Sequence, residues 1–540
     1  MGLGATGPLP KHAPLATFLV LCAFLAACTM PPEPGTADDG PVVGPSPSVM
    51  PAPSLRLAIG PVASLDPRDL DTPDGLLLAS QLFDGLVDYD PSTAETIPAV
   101  AESWEVFEGG RRLVFRLREG VTFHDGTPLN ADAFVAAWNR LADPIVAKPF
   151  AFLLEAVEGF DKFQTDLKVT NLSGVSAEGP LTLEVRLNRA WPDFVALLGH
   201  PALSPVPPPA PTESFGSLPI GNGPYRLVGA LTPGSPIRLE AYSAYYGQAA
   251  VVSSVEYRSF DPAEGAWPEF LNGDLELAEI PAGVLDDATS QFGSQGVAPV
   301  ARVLYCAFNE KNELFQDPTL RTAVSLGIDR DEIVQSVYAR LSEPATSIVP
   351  PSIPGHAGDP CGDRCEHDVE RASALIRGLP RKSRTFALDY AGSLAGDRLA
   401  TAVADQLAEV GLTVTPRPHL GPELEDLLLS GEHEMFCLVW VADYPRQQAF
   451  LEPLLSSESV DNRAGIEDPE ADSTLEEARL TLDGTERERL YAQVELRALT
   501  QMHLIPLIWF RSHLAVSEKV QGFELDPLGR YDASRLSISG

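Results

Sequence analysis

The sequence predicts a mixed α/β fold, and three observations support this prediction. Segments with strand character alternate with amphipathic helices after Gly296, which is the pattern of an α/β domain. Before Gly296 the chain is richer in short segments that alternate apolar and polar residues, as half-buried strands do. The chain has 540 residues, of which 44% are hydrophobic, so it can bury a large core and form several domains.

In the first half, most predicted elements are strands. Residues 54–60 (SLRLAIG) predict the first strand, and residues 75–86 predict a helix. Residues 129–144 predict a second helix, which Asn130 caps and which ends before Pro144. Alternating residues predict further strands at 111–120, 181–188, 237–242 and 255–260. The proline-rich stretch 201–219 cannot form the interior of a sheet.

In the second half, strands and helices alternate. Strands are predicted at 300–309, 385–391, 412–418, 434–443 and 503–510. Helices are predicted at 318–339, 397–411, 422–431 and 472–502, the last interrupted near Gly484. This alternation favours an α/β lobe.

Net charge and motifs narrow the function. The chain has 75 acidic and 39 basic residues, and its formal charge of −36 repels nucleic acids. We find no G-x-S-x-G, H-E-x-x-H or glycine-rich phosphate loop, and the nine histidines show no metal-ligand spacing. We therefore expect no nucleic-acid partner, and the sequence predicts no catalytic site, cofactor or metal site.

The N-terminus predicts export. Residues 1–27 contain Lys11, an apolar stretch and a site of small residues, as a signal peptide does. Leu25-Ala26-Ala27-Cys28 resembles the bacterial lipobox, which predicts cleavage before Cys28 and lipid attachment to it. Residues 28–53 predict a flexible tether. An ordinary signal peptide or a short buried helix are the alternatives.

Four cysteines remain after those of the export segment: Cys306, Cys361, Cys365 and Cys437. An even number outside the cytoplasm suggests disulfides. Cys361 and Cys365 form a local pair, and the runs around Cys306 and Cys437 could be neighbouring strands. A zinc site at Cys361, Cys365 and His367 is the alternative, although it lacks a convincing fourth ligand.

Several segments, in order, resemble one known family. They are residues 65–140, GNGPYRL (221–227), residues 304–334, WVADYP (440–445) and IPLIWF (505–510). Together they resemble the bacterial extracellular solute-binding proteins of family 5, which include the oligopeptide- and dipeptide-binding lipoproteins of ABC importers. The resemblance covers nearly the whole chain after the tether.

The resemblance implies a periplasmic-binding-protein-like fold of class II type, cluster C. Two lobes then enclose a hinged ligand cleft, and an extra subdomain comes from the N-terminal half. The implied boundaries are 54–89, 189–302 and 506–540 for lobe I, 90–188 for the subdomain and 303–505 for lobe II. The protein would be a monomer outside the cytoplasm, lipid-anchored at the cell surface or in the periplasm, and its partner would be an ABC permease.

The resemblance also implies a peptide site at the end of the strand that precedes Asp443. Asp443 stands where peptide-binding relatives hold the ligand's amine, and a charge-assisted bond suits that role. Val439 and Val441 would offer backbone groups to an extended ligand. Trp440 would form a wall, beside Tyr444. Asp443 could instead cap the turn before Pro445, and Trp440 could be core.

Two further residues leave alternatives open. Arg446 departs from the family pattern, and it could bind a ligand carboxylate, temper Asp443 or point to solvent. Asn309 could hold a crossing loop through backbone hydrogen bonds or touch the ligand.

The leading hypothesis is capture of peptides for a permease. Alternatives are a non-peptide solute (a nickel complex, haem, an oligosaccharide or an opine), a ligand-sensing lipoprotein and, least favoured, an exported hydrolase.

Overall fold

The computed structural model describes residues 54–146, 148–209 and 213–539. The predicted signal peptide, the tether and Cys28 lie outside these residues. Within them, no helix has the length and apolar character needed to cross a bilayer.

The described residues form twenty strands, which fall into two six-stranded sheets, one four-stranded sheet and two two-stranded sheets. In chain order the strands are β1 (Ser54–Ile59), β2 (Val87–Tyr89), β3 (Thr96–Pro98), β4 (Ala101–Phe107), β5 (Arg112–Leu117), β6 (Val175–Gly179), β7 (Thr182–Arg186), β8 (Tyr225–Leu227), β9 (Ile237–Ala241), β10 (Ser254–Ser259), β11 (Leu277–Glu279), β12 (Pro299–Phe308), β13 (Ser342–Pro344), β14 (Thr385–Ala391), β15 (Thr413–His419), β16 (Met435–Val441), β17 (Ile505–Arg511), β18 (Leu514–Val516), β19 (Val520–Gln521) and β20 (Ser537–Ile538).

The same residues form fourteen α-helices. They are α1 (Pro73–Leu82), α2 (Ala131–Leu141), α3 (Phe160–Thr165), α4 (Phe194–Leu197), α5 (Trp267–Leu271), α6 (Leu285–Phe292), α7 (Pro318–Gly327), α8 (Arg330–Ser336), α9 (Val369–Gly378), α10 (Leu394–Glu409), α11 (Gly421–Ser430), α12 (Gln448–Leu455), α13 (Pro469–Leu480) and α14 (Gly484–Thr500).

The first lobe is built on a six-stranded sheet in the order β18-β11-β1-β10-β9-β8. The strand β1 lies parallel to β10 and β11, while the outer pairs are antiparallel. Alternate residues of β1 are buried, as its alternating sequence predicts. The chain enters this sheet near its start and returns to it at β18.

The second lobe is built on a six-stranded sheet in the order β13-β17-β12-β16-β14-β15. The central strand β12 pairs antiparallel with both β16 and β17. The predicted lobe boundaries are therefore wrong at both ends, since β12 begins at Pro299 and β17 extends to Arg511. The boundaries were predicted from the alternation of strands and helices along the chain. This alternation does not show to which sheet a strand at the boundary between the lobes belongs.

Two short segments join these sheets and lie side by side. Residues 296–299 lead into β12, and residues 511–514 lead out of β17. Leu514 N–H donates to the carbonyl of Gly296 at 2.9 Å, and Ser512 N–H donates to that of Ala298 at 2.8 Å. A Cβ at Gly296 would lie 2.2 Å from the Leu514 oxygen, so the two backbones approach closely only because this residue is glycine.

The extra subdomain is an antiparallel sheet in the order β4-β5-β7-β6, against which α2 packs. A buried ion pair between Arg140 and Asp66 ties it to the first lobe, with Nη1 and Oδ1 2.6 Å apart. The β2–β3 hairpin spans residues 87–98, so the predicted boundary at 89/90 divides one structural unit.

Asn130 is the N-cap residue of α2, but its side chain does not make the predicted cap. No cap hydrogen bond forms, and Oδ1 has no partner among the described residues. The position was correctly predicted from sequence, whereas the bond depends on a side-chain rotamer that packing decides.

Candidate functional site

The strand β16 has its register fixed by a disulfide. Cys306 and Cys437 stand opposite each other in the β12–β16 pair and are bonded through their sulfur atoms. Cys361 and Cys365 are bonded as well, so their sulfurs are not free for the alternative zinc site. No group of His, Cys, Asp and Glu in the described residues could hold a metal ion.

The last part of β16 has one edge that no described strand covers. Ala442 N–H donates to the carbonyl of Ala301 at 3.0 Å, on the β12 side. Backbone groups alternate in direction along an antiparallel pair, so those of Val439 and Val441 point to the opposite edge. On that edge β14 pairs only with residues 435–437. An extended ligand can therefore pair with the backbone of Val439 and Val441.

Asp443 lies just beyond this free edge and is half-buried. Burial, and then the negative charge of Asp461, raise the pKa of Asp443 to about 7. No hydrogen bond or ion pair to Asp443 exists within the described part of the chain. A half-buried carboxylate without a partner is unfavourable, and a ligand cation would relieve that cost.

Two other carboxyl groups also have a pKa raised to about 7, and both have protein donors. Tyr245 Oη donates to Asp84 at 2.8 Å, beside a separate cavity of about 380 Å³ that residues 439–446 do not line. Glu495 accepts the N–H groups of Ile348 and Val349 at 2.7 and 2.9 Å. Asp443 differs from both because no described residue donates a hydrogen bond to it.

The aromatic residues around Asp443 anchor its segment. Trp440 Nε1–H donates to the carbonyl of Ala449 at 2.8 Å, and its half-buried ring packs on the core. Tyr444 is buried, with its ring centroid 6.4 Å from that of Trp191. The contacts of Trp440 are with the core, and its role as a wall for the ligand stays a prediction. Tyr444 packs beneath the turn.

Arg446 is engaged with the protein. Its Nη1 donates to the carbonyl of Ala94 and its Nη2 to Oγ1 of Thr96, each at 2.8 Å. Nη1 also donates to the carbonyl of Pro445. The guanidinium thus ties the segment after Asp443 to the β2–β3 hairpin, a use that none of the three sequence alternatives describes.

Asn309 lies at the other end of β16 from Asp443. Its Nδ2 donates to the carbonyl of Gly431 at 2.8 Å, and its backbone N–H donates to that of Glu434. Glu434 and Asp443 are nine positions apart, or about 30 Å along an extended chain. The structure therefore does not bring Asn309 together with the other predicted site residues, and the loop-holding alternative describes its contacts.

Sequence reasoning did not single out Asp461, which acts on Asp443, or Leu394, which begins a helix of the same lobe. Asp461 influences Asp443 from a loop that follows α12, and it belongs to no motif. Leu394 is the first residue of α10 and is strongly exposed. In the sequence, Leu394 is only an apolar residue just before a predicted helix, and this does not indicate a functional role.

Comparisons with known proteins agree with this architecture. The sequence model described as "Bacterial extracellular solute-binding proteins, family 5 Middle" matches residues 95–462. The chain is 29% identical over 484 residues to the "Probable deoxycholate-binding periplasmic protein YgiS" of Escherichia coli, covering 86% of this chain and 89% of that protein. It is also 29% identical over 497 residues to the "Periplasmic oligopeptide-binding protein OppA" of Salmonella typhimurium, covering 88% and 91%.

A solved structure shares the fold. The unliganded open form of MppA, a periplasmic murein tripeptide binding protein, superposes with a TM-score of 0.79 at 24% identity, covering 91% of this chain and 98% of that one. The predicted two-lobed α/β fold is therefore confirmed.

Proposed function

The chain belongs to the bacterial extracellular solute-binding proteins of family 5, and from this membership we propose that it captures peptides with a free amino terminus and delivers them to a membrane permease. Relatives are named for peptides and for deoxycholate, so membership alone leaves the solute open. The proposal rests on one observation, the free edge of β16 that leads to an unpartnered Asp443.

A peptide matches both features of this site. Its backbone can pair with Val439 and Val441 as an added strand, which binds many sequences because side chains are not needed for the pairing. Its ammonium group can then meet the carboxylate of Asp443. A bile acid has no amine, and its carboxylate would be repelled by Asp443 and Asp461.

We propose further that the protein binds without catalysis and acts as a monomer outside the cytoplasm, anchored by lipid on Cys28. An ABC permease would receive the peptide. The family assignment supports the binding role, and the sequence supports the anchor. The first lobe would comprise residues 54–86, 189–298 and 512–539, and the second lobe would comprise residues 299–511. The subdomain would comprise the residues between 86 and 189.

The test compares a free tripeptide with its N-acetylated form by isothermal titration calorimetry. We expect acetylation to weaken binding at least about a hundredfold, because a half-buried charge pair is lost. Asp443→Asn keeps the size of the side chain and should weaken binding of the free tripeptide by a similar factor. Equal binding of the free and acetylated peptides would contradict the amine site.

Asp405→Asn is the matched control. Asp405 lies on the exposed face of α10, and we expect its replacement to leave affinity unchanged.

Mass spectrometry of the peptide after incubation tests the hydrolase alternative, since a binding protein returns the peptide intact. Deoxycholate should not compete with the tripeptide; competition that survives Asp443→Asn would favour a non-peptide solute.

A further inference from the structure

Two exposed apolar side chains lie at the uncovered end of β16, and a third is the first residue of α10. Val439 is 39% exposed, Val441 56% and Leu394 72%. Single exposed apolar residues are common on protein surfaces. Val439 and Val441 differ because they lie on the uncovered edge of β16, which is the edge that the proposed peptide would occupy.

The two valines project from one face of the sheet, and α10 covers that face. Val439 stands opposite Leu304, and Cys437 stands opposite Cys306, so their side chains project to the same side. Leu304 and Cys437 belong to the core cluster that includes Leu399 and Val403 of α10. The helix α10 therefore covers the face from which Val439 and Val441 project.

Leu394 borders the two valines because of where α10 begins. The strand β14 lies beside β16 and parallel to it, and α10 starts three residues after β14 ends. The first turn of α10 is thus next to the part of β16 that β14 leaves uncovered. Leu394 stands at the first position of that turn.

We propose that Val439, Val441 and Leu394 form an apolar subsite that selects peptides with an aliphatic or aromatic side chain at the residue pairing with Val439 or Val441. This inference rests on the proposed function. In a sheet, directly paired residues project their side chains to the same face. The ligand residue between them pairs with Trp440 and projects to the opposite face.

Arg302 is the charged residue opposite Val441 in the β12–β16 pair, and its position is compatible with an apolar subsite. Its guanidinium lies 4.2 Å from the ring centroid of Phe510 in β17. The strand β17 is on the far side of β12 from β16, so this cation is directed away from the free edge.

The test measures affinity for free-amine tripeptides in which leucine and asparagine, which are similar in size, are exchanged at the second or third position. We expect leucine to be preferred about tenfold at one position, since partial burial of its side chain contributes about 1.4 kcal/mol. Equal affinities at both positions would overturn the subsite while leaving the proposed function standing. Failure of every tripeptide to bind would overturn both.

Leu394→Ser should lower affinity for the leucine peptide at least about threefold more than affinity for the asparagine peptide, because the subsite loses apolar surface. Leu480→Ser is the matched control, since Leu480 is also exposed (58%) but ends α13. We expect the control to keep the full preference. A preference that survives Leu394→Ser, or that both variants lose equally, would overturn the assignment. Equal thermal unfolding of both variants verifies that the fold is intact.

Discussion

Asp443 carries the main functional argument at the scale of single residues. Its position was identified from the sequence, through the resemblance of WVADYP to known solute-binding proteins. What distinguishes it from Asp84 and Glu495, whose pKa values are also raised to about 7, is the absence of a donor among the described residues. Partners come from distant segments of chain, so this difference could not be read from sequence.

We expect peptide affinity to fall as the pH falls below 7. The ammonium group of the ligand pairs with ionised Asp443, whose pKa in the ligand-free protein is about 7. Below that pH the carboxyl group must lose a proton before it can pair, so affinity should decrease about tenfold between pH 7.5 and pH 6. Calorimetry at several pH values measures this dependence.

Asp443→Asn provides the control, since the affinity of this variant for the peptide should be low and nearly independent of pH over the same range.

The contribution of Asp443 to folding stability depends on pH with the opposite sign. A raised carboxyl pKa means that the folded protein binds more protons than the unfolded chain, so this group lowers stability as the pH rises from about 4 to 7. Equal affinity of the parent protein at pH 6 and 7.5 would contradict the role of Asp443.

Arg446 and Asn309 show where residue-scale reasoning reaches its limit. Contact with the ligand was one of the alternatives for each, and both donate hydrogen bonds to protein atoms. Arg446 reaches a hairpin about 350 positions away in the chain, and such a contact leaves no local pattern. A guanidinium that binds a backbone carbonyl looks the same in sequence as one that binds a ligand.

At the scale of elements, β16 joins structural and functional roles. Its first residues are covered on both edges, and its last residues on one edge only. The apolar run predicts the strand but not the edge that stays open, because the ends of neighbouring strands determine coverage. The disulfide beside the open part fixes the register and therefore which backbone groups face the open edge.

We expect the two disulfides to differ in their effect on stability. Cys306–Cys437 closes a loop of sequence separation 131, whereas Cys361–Cys365 has a separation of 4. Chain entropy therefore predicts a loss of about 5 kcal/mol when the first is replaced by serines and about 2 kcal/mol for the second. Urea unfolding of the two double-serine variants measures both values.

The variant without Cys361–Cys365 serves as the control for peptide binding, which should remain at the parent level. Loss of Cys306–Cys437 should also weaken binding, because the disulfide holds the strand that carries Val439 and Val441. A larger loss of stability for Cys361–Cys365 would show that the loop-closure argument does not hold here.

At the scale of the whole molecule, two adjacent crossing segments connect the lobes. Residues 296–299 and 511–514 are bonded to each other, and such a pair can act as a hinge. The site at β16 belongs to the second lobe, while Arg446 binds the hairpin at residues 87–98. A ligand that contacts both sides of the cleft would favour the closed arrangement.

We expect a free-amine tripeptide to make the protein more compact and more stable. Small-angle X-ray scattering should show a smaller radius of gyration in the presence of the peptide. At a free concentration of about a hundred times the dissociation constant, binding should add about 2.7 kcal/mol to the free energy of unfolding. The N-acetylated peptide should change neither quantity at the same concentration, and an unchanged radius with bound peptide would contradict hinge closure.

The sequence by itself determined the fold class, the family and most elements, because periodicity and caps are local properties of the chain. It also placed Asp443 at the end of β16. Only the tertiary structure decided that β17 belongs to the second sheet, that Arg446 and Asn309 bind protein atoms, and that Val439 and Val441 face an uncovered edge. The physical reason is that strand pairing, coverage and burial depend on which distant segments meet, and local sequence patterns do not contain that information.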